Sequence, residues 1–341
     1  MNLTRASQEL FRRTPDECYP SLSVLSRHCR YQQEQAREVW QPPRSLWARP
    51  VSTDRLVVAA GDDQTFQMND WSFGQLCRLA GVAKETVNRL TSDTASKVLG
   101  ETLPRSNKPL QLFTDGDRLR SIHTASYTRL NNSDVLSVVQ EFATDFQPPP
   151  KGVNGGTGLY SGEQDMFCFL IDPTGWTEIN GESFAPGFFI WNSEVGSRSV
   201  GIETFWYQSV CANHIVWDAT EIVEYTRKHT INVHDALNNI RQIIEALVAK
   251  RDARRDRFAE VIKKAMQTEL GTEAEEVQKI LSQNGITRSL AKEAISIAQA
   301  QGRLTIFSMV DALTRIAGKI VNAGDRVDVD HKAGRLLALA A

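Results

Sequence analysis

Apolar positions in the last third of the chain follow the period of a helix. From Val233 they recur at alternating spacings of four and three residues, which is the pattern of a heptad seam. The seam comprises Val233, Leu237, Ile240, Ile244, Leu247, Phe258, Val261 and Ala265. Arg251 and Arg254 interrupt it at core positions. Three further segments with helical spacing follow, at 272–281, 288–300 and 306–321. The pattern predicts a helical C-terminal region over residues 231–341.

The period changes to two in the middle of the chain. An apolar, β-branched run from Arg55 to Ala60 predicts a strand. The segments LQLFT and RLRSIH alternate around a DGD turn, which predicts a hairpin with Arg118 and Arg120 on one strand face. Dense aromatic and β-branched residues from 158 to about 225 predict four or more antiparallel strands. The predicted fold class is α+β, a largely antiparallel β-sheet body with packed helices and a long helical C-terminal region.

Changes in composition divide the chain into three predicted regions. The first fifty residues carry eight arginines against five acidic residues, with a predicted helix over 22–40 and a proline-rich exit. We therefore predict a basic helical arm at 1–52, an α+β core domain at 53–230 and the helical region described above. The segment QPPPKGVNGGT is the candidate internal break, near 147–157, although a long hairpin loop would have the same composition.

Composition and charge exclude several classes of protein. With 41% hydrophobic and 23% charged residues the 341-residue chain suits a globular fold, and a net charge of -2 provides no general attraction for phosphate. No run of apolar residues is long enough to span a membrane and no signal-peptide core is present, so we expect a cytoplasmic location without membrane contact. The five cysteines are scattered without a CxxC pair, which predicts free thiols. No metal or cofactor is predicted, and no phosphate-binding GxxxxGK[ST] loop occurs.

The stretch SFGQLCRLAGVAKETVNRL has the apolar spacing and the glycine of a helix-turn-helix. In a DNA-reading version Lys84, Glu85, Asn88 and Arg89 would face the groove. The alternative is a pair of short helices that pack on a sheet.

Two groups of basic residues are candidates for binding nucleic acid. The first is Arg118, Arg120, Tyr127 and Arg129, in and after the predicted hairpin, and the second is Lys250, Arg251, Arg254 and Arg255. The aromatic residues Trp191, Trp206 and Tyr207 are candidates for exposed stacking surfaces beside them, with core positions as the alternative because aromatic residues in strands are commonly buried. Cations beside aromatic faces hold single strands, because phosphates pair with arginine and bases stack on rings. A solvated helix face is the alternative for the second group.

A candidate polar site consists of Asn192, Glu194, Asn213 and His214, near Cys211. Cys211 and His214 have the chemistry of a nucleophile and a base, or of zinc ligands, but three-residue spacing on a strand places them on opposite faces. We therefore predict no catalytic residues. The alternative is a structural role in satisfying backbone groups.

Three strings, GLYSGEQDMFCFLID, GFFIWNSEVGSRSVGI and VCANHIVW, resemble the phage/plasmid-like protein family, a domain of unknown function found on mobile elements. The resemblance runs from about Trp71 to Leu337 and implies a mobile-element context and cytoplasmic action, without an assigned reaction or site residue.

These observations favour a noncatalytic accessory protein that binds nucleic acid, with single-stranded DNA favoured, in recombination or annealing. The alternatives are a duplex-DNA regulator, a metal-dependent nuclease that uses Glu194 or His214, and an inhibitor that binds a host defence protein. The heptad seam and the hydrophobic tail also predict self-association into a homo-oligomer.

Overall fold

The computed structural model describes residues 9–61, 64–150, 156–209, 214–217 and 224–340, with the backbone alone described at 214–217 and 251–254. The strands are β1 (Glu17–Cys18), β2 (Ala36–Gln41), β3 (Leu46–Ser52), β4 (Arg55–Ala60), β5 (Gln64–Met68), β6 (Leu110–Asp115), β7 (Arg118–Thr124), β8 (Leu159–Ser161), β9 (Met166–Ile171), β10 (Thr177–Ile179), β11 (Glu182–Asn192), β12 (Val200–Gln208), β13 (His214–Trp217) and β14 (Glu224–Arg227). The helices are α1 (Leu22–Gln35), α2 (Asp70–Leu79), α3 (Lys84–Val87), α4 (Ser92–Thr102), α5 (Asn132–Phe142), α6 (Asp235–Ala249), α7 (Arg251–Gln267), α8 (Ala274–Gln283), α9 (Arg288–Gln301), α10 (Ile306–Ala317) and α11 (Ala323–Arg335). The predicted α+β class and helical C-terminal region are confirmed.

The first sheet has six strands in the order β2-β6-β7-β5-β4-β3. Its pairs are antiparallel except β5 with β7. On one face, Leu56 and Val58 pack with Phe73 of α2 and Leu99 of α4 in a buried core. Because side chains alternate along a strand, Val57 and its neighbours on the other strands face away from these helices. Among the described residues, no hydrophobic core cluster joins a helix to this second side, and we call it the helix-free face.

The second sheet has eight strands, and its central strands β9, β11 and β12 are buried on both faces. Its order is β1-β8-β9-β11-β12-β13, with β10 joined to β11 and β14 joined to β12. Phe188 and Ile190 of β11 pack with residues of α1, α5 and α6. Phe189 of the same strand faces the opposite core, with Val327 of α11. Burial on both sides explains why β9 and most of β11 are nearly continuous apolar runs rather than alternating ones.

The heptad seam divides between two cores of the same chain. α6 ends at Ala249, and its buried residues Ile240 and Ile244 belong to the core on the second sheet. α7 then places Phe258 and Ile262 in a separate core with the C-terminal helices. Both halves of the seam are therefore covered within the molecule.

The described part of the predicted arm, residues 9–52, is not separate from the two sheets, so this prediction needs correction. α1 ends at Gln35 rather than at Trp40, because the residues that follow pair along β6 as strand β2. β2 and β3 are the two edge strands of the first sheet, and α1 packs in a core of the second sheet through Leu25. The boundary at residue 52 therefore falls inside the β3–β4 hairpin.

The candidate break near 147–157 lies partly outside the described residues. Gln147 pairs with Ile171 of β9, so the chain joins the second sheet at the start of this segment. Within the described residues, every helix is too short or too polar to cross a membrane.

Candidate nucleic-acid interface

Glu194, two residues after the end of β11, joins the two sheets. Its side chain is 2% exposed, and its Oε2 accepts a hydrogen bond from Nη1 of Arg120 at 2.9 Å. The other oxygen, Oε1, accepts from the backbone N–H of Asn132 at 2.8 Å. The carboxylate is thus held by a cation from β7 and by the first turn of α5. We call this arrangement the Glu194 junction.

Arg129 and Tyr127 reinforce the junction. The guanidinium of Arg129 lies 3.4 Å from the ring centre of Phe113 and donates to the backbone carbonyl of Glu194 and, at 3.0 Å, to Gln111. The hydroxyl of Tyr127 donates to the same Glu194 carbonyl at 3.0 Å. Burial lowers the pKa of Arg129 and raises that of Tyr127. Three of the candidate binding residues, Arg120, Tyr127 and Arg129, therefore bond to the protein itself.

Two histidines lie on either side of Tyr127. The ring of His123 stacks on it at 3.7 Å between centres, and the ring of His229 at 5.5 Å. Burial lowers the pKa of His123 to about 3 and that of His229 to about 4, with the positive charge of Arg129 adding to both shifts. Both imidazoles are neutral at pH 7. Gly196 passes close to this stack with a φ of +73°.

The candidate polar site is only partly described. Asn192 is buried and donates to the carbonyl of Leu130 at 2.8 Å and to Oδ1 of Asn132 at 2.9 Å. Asn192 and Glu194 thus satisfy groups at the start of α5. Cys211 and Asn213 lie outside the described residues, as does the side chain of His214. Among the described residues, no three His, Cys, Asp or Glu side chains are grouped to hold a metal ion.

The helix-turn-helix stretch folds as short packed helices. Gly81 adopts the expected left-handed turn with a φ of +70°, but α3 that follows is a single turn of four residues. Asn88 is buried, and its side chain forms two hydrogen bonds with the backbone of Phe11. Its Oδ1 accepts from the N–H and its Nδ2 donates to the carbonyl, each at 2.8 Å. Nζ of Lys84 pairs with Asp70 at 2.7 Å. A long recognition helix with free polar residues is therefore absent from this described stretch.

A row of paired residues crosses the helix-free face of the first sheet. Arg49 of β3 is opposite Val57 of β4, Val57 is opposite Gln67 of β5, and Gln67 is paired with Arg118 of β7. Paired residues share one face of a sheet, so these four side chains lie side by side. Three strand spacings separate the two arginines, about 14 Å between backbones. We call this set the Arg49–Arg118 row.

Trp47 lies beside the row. It is two residues before Arg49 on β3, it is opposite Ala59 of β4, and it is 40% exposed. Arg49, Arg118 and also Arg55 of β4 are exposed and form no ion pair within the described chain. Arg118 is among the residues predicted from the sequence, whereas Arg49 and Trp47 are not. The two-residue alternation of Leu46 and Ala48 with Trp47 and Arg49 was the available signal in the sequence.

The other candidate residues lie elsewhere. Trp191, Trp206 and Tyr207 are buried, so their predicted exposure was wrong. Trp206 stacks on Phe258 at 4.1 Å inside the C-terminal core. Nε of Arg255 pairs with Asp256 at 3.1 Å.

The remaining basic residues of the second group add no described contact to this interface. Lys250 is the C-cap of α6, and the side chains of Arg251 and Arg254 lie outside the described residues.

Comparisons with protein-family models, with curated proteins and with solved structures each found no match.

Proposed function

We propose that this protein binds single-stranded nucleic acid, with DNA favoured, on the helix-free face of its first sheet, and that it does so without catalysis. The observation that carries the proposal is the Arg49–Arg118 row with Trp47 beside it. Exposed arginines pair with phosphates, and an exposed indole offers a stacking surface to any base.

The shape of this surface favours single strands over duplex DNA. Reading a duplex by helix requires a helix long enough to enter the major groove, and α3 is one turn long. A sheet face with an exposed ring suits unpaired bases, whose faces are free to stack. The resemblance to the phage/plasmid-like family adds the expectation of a cytoplasmic role in recombination or annealing on a mobile element.

The test is fluorescence anisotropy of a labelled mixed-sequence 20-nucleotide strand and its duplex, titrated with protein at several salt concentrations. We expect the single strand to bind more tightly. The double variant Arg49→Gln/Arg118→Gln should reduce the slope of log affinity against log salt by about 1.4, since each phosphate contact on a single strand contributes about 0.7. Trp47→Ala should weaken binding about fivefold or more, because one stacked base contributes roughly 1–3 kcal/mol.

Matched controls are Arg30→Gln, an exposed arginine on α1, and Trp176→Ala, which removes an exposed tryptophan that packs against Tyr207 of the second sheet. Both should bind like the wild type. Absence of binding by the wild-type protein, or equal losses in the test and control variants, would overturn the proposal.

A further inference from the structure

A cleft of about 620 Å³ opens at the Arg118 end of the row. Gln67 and Arg118 belong both to the row and to the cleft wall, so the two surfaces are continuous. The opposite wall comes from α1 through His28 and from the β8–β9 turn through Glu163. Its volume lies within the range of small-molecule sites.

The charges around the cleft do not suit a phosphate. Its acidic residues are Glu17, Asp70, Asp115 and Glu163, and its basic residues are Arg12, Arg118 and Arg120. Arg120 is already engaged by Glu194 at 2.9 Å. Burial lowers the pKa of His28, which keeps this residue neutral at pH 7. The cleft therefore favours a neutral ligand that donates hydrogen bonds.

Two carboxylates of the cleft wall have oxygens that accept no hydrogen bond from the described residues. Asp115 has no hydrogen-bond or ion-pair partner among the described residues. Glu163 accepts from the N–H and the hydroxyl of Thr14 through Oε1, at 3.2 and 2.7 Å. Its Oε2 is buried without a donor in the described chain. A ligand with an amino group would supply the missing donor.

We infer that the cleft receives a base of the bound strand and prefers bases that carry an exocyclic amino group, such as cytosine, over uracil or thymine. The inference rests on the proposed function, because the Arg49–Arg118 row must hold the backbone beside the cleft. Carboxylates accept hydrogen bonds from the amino group of cytosine, whereas uracil and thymine present a carbonyl oxygen at that position. Two carboxylates facing a carbonyl oxygen would repel it.

The experiment compares binding of two 15-nucleotide strands, oligodeoxycytidine and oligodeoxyuridine, at pH 7.5. The two bases differ in the group at C4, amino or carbonyl, and at the adjacent N3, which is an unprotonated acceptor in cytosine and an N–H donor in uracil. We expect the wild-type protein to bind the cytidine strand about fivefold more tightly, the factor of about one net hydrogen bond. Asp115→Asn should bring this ratio of affinities close to one without loss of affinity for the uridine strand. Glu163→Gln is the second variant, and it should also reduce the ratio. The control Asp54→Asn removes the same charge in the β3–β4 turn, outside the cleft, and should leave the ratio unchanged.

The outcomes separate the two proposals. If the wild-type protein binds neither these strands nor the mixed-sequence strand, the proposed function fails. If it binds both homopolymers equally, or if Asp115→Asn and Glu163→Gln both leave the preference intact, the cleft inference fails while strand binding stands.

Discussion

The Glu194 junction predicts a large loss of stability when its charge is removed. In Glu194→Gln, the amide oxygen can still accept from the N–H of Asn132, as Oε1 does at 2.8 Å. The amide NH₂ must then face Nη1 of Arg120, which places two donors against each other. The substitution is nearly isosteric, so packing changes little.

The size of the effect follows from burial. The side chains of Glu194 and Arg120 are 2% and 12% exposed, so water cannot replace the lost partner. Removing one partner of a buried ion pair costs about 3–5 kcal/mol. Arg120 retains slight contact with solvent, so we expect the lower end, about 3 kcal/mol. An exposed pair is the control: Arg241 and Glu245 are each about half exposed, and Glu245→Gln should cost less than about 0.5 kcal/mol.

The assay is urea unfolding at pH 7 of the wild type, Glu194→Gln, Arg120→Ala and the double variant. We expect a coupling energy of about 2 kcal/mol in the double-mutant cycle. The effects of substituting two residues of one hydrogen-bonded pair on the free energy of unfolding do not add. A coupling below about 0.5 kcal/mol, or equal losses for Glu194→Gln and Glu245→Gln, would refute the assignment of Glu194 as the residue that joins the sheets.

Two further predictions concern the aromatic stack beside the junction. His123 and His229 have folded pKa values of about 3 and about 4, below the ordinary value of 6.5, so the unfolded chain binds protons first and their contribution to stability is lost as pH falls below 6.5. Between pH 6 and pH 4.5 each histidine should add up to about 1.4 kcal/mol per pH unit to the slope of the free energy of unfolding against pH. This slope should be shallower for His229→Gln than for the wild type, and parallel slopes would contradict the prediction. Gly196→Ala should cost more than about 2 kcal/mol, because its φ is +73° and its new Cβ would lie 2.9 Å from His123 and 3.0 Å from Tyr127. Gly116→Ala, at a φ of +57° with nothing within 4 Å, should cost only about 1 kcal/mol, and equal thermal shifts for the two variants would exclude a steric role for the stack.

The local pattern of the chain determined most of its secondary structure. The strand over Arg55–Ala60 lies where its apolar, β-branched run predicted it, and the hairpin of β6 and β7 lies where alternation predicted it, because side-chain pattern and turn residues act over a few neighbouring positions. The helices from α6 onward follow their apolar spacing for the same reason. α1 is the instructive exception. Its pattern extends to Trp40, but pairing with β6 satisfies the backbone of 36–41 as a strand.

Tertiary structure alone decided the candidate sites. Glu194 and Arg120 are 74 residues apart, and their pairing turned predicted binding and polar residues into one buried junction. The Arg49–Arg118 row depends on the register of four strands. Three of them, β3, β4 and β5, follow one another along the chain, whereas the fourth, β7, is distant in sequence. Trp206 looks like a stacking residue in the sequence and is buried against Phe258 in the fold. The type of an aromatic or charged residue does not tell whether it is buried in the protein or exposed for binding. Only the packing of distant segments determines which of these residues remain exposed to solvent.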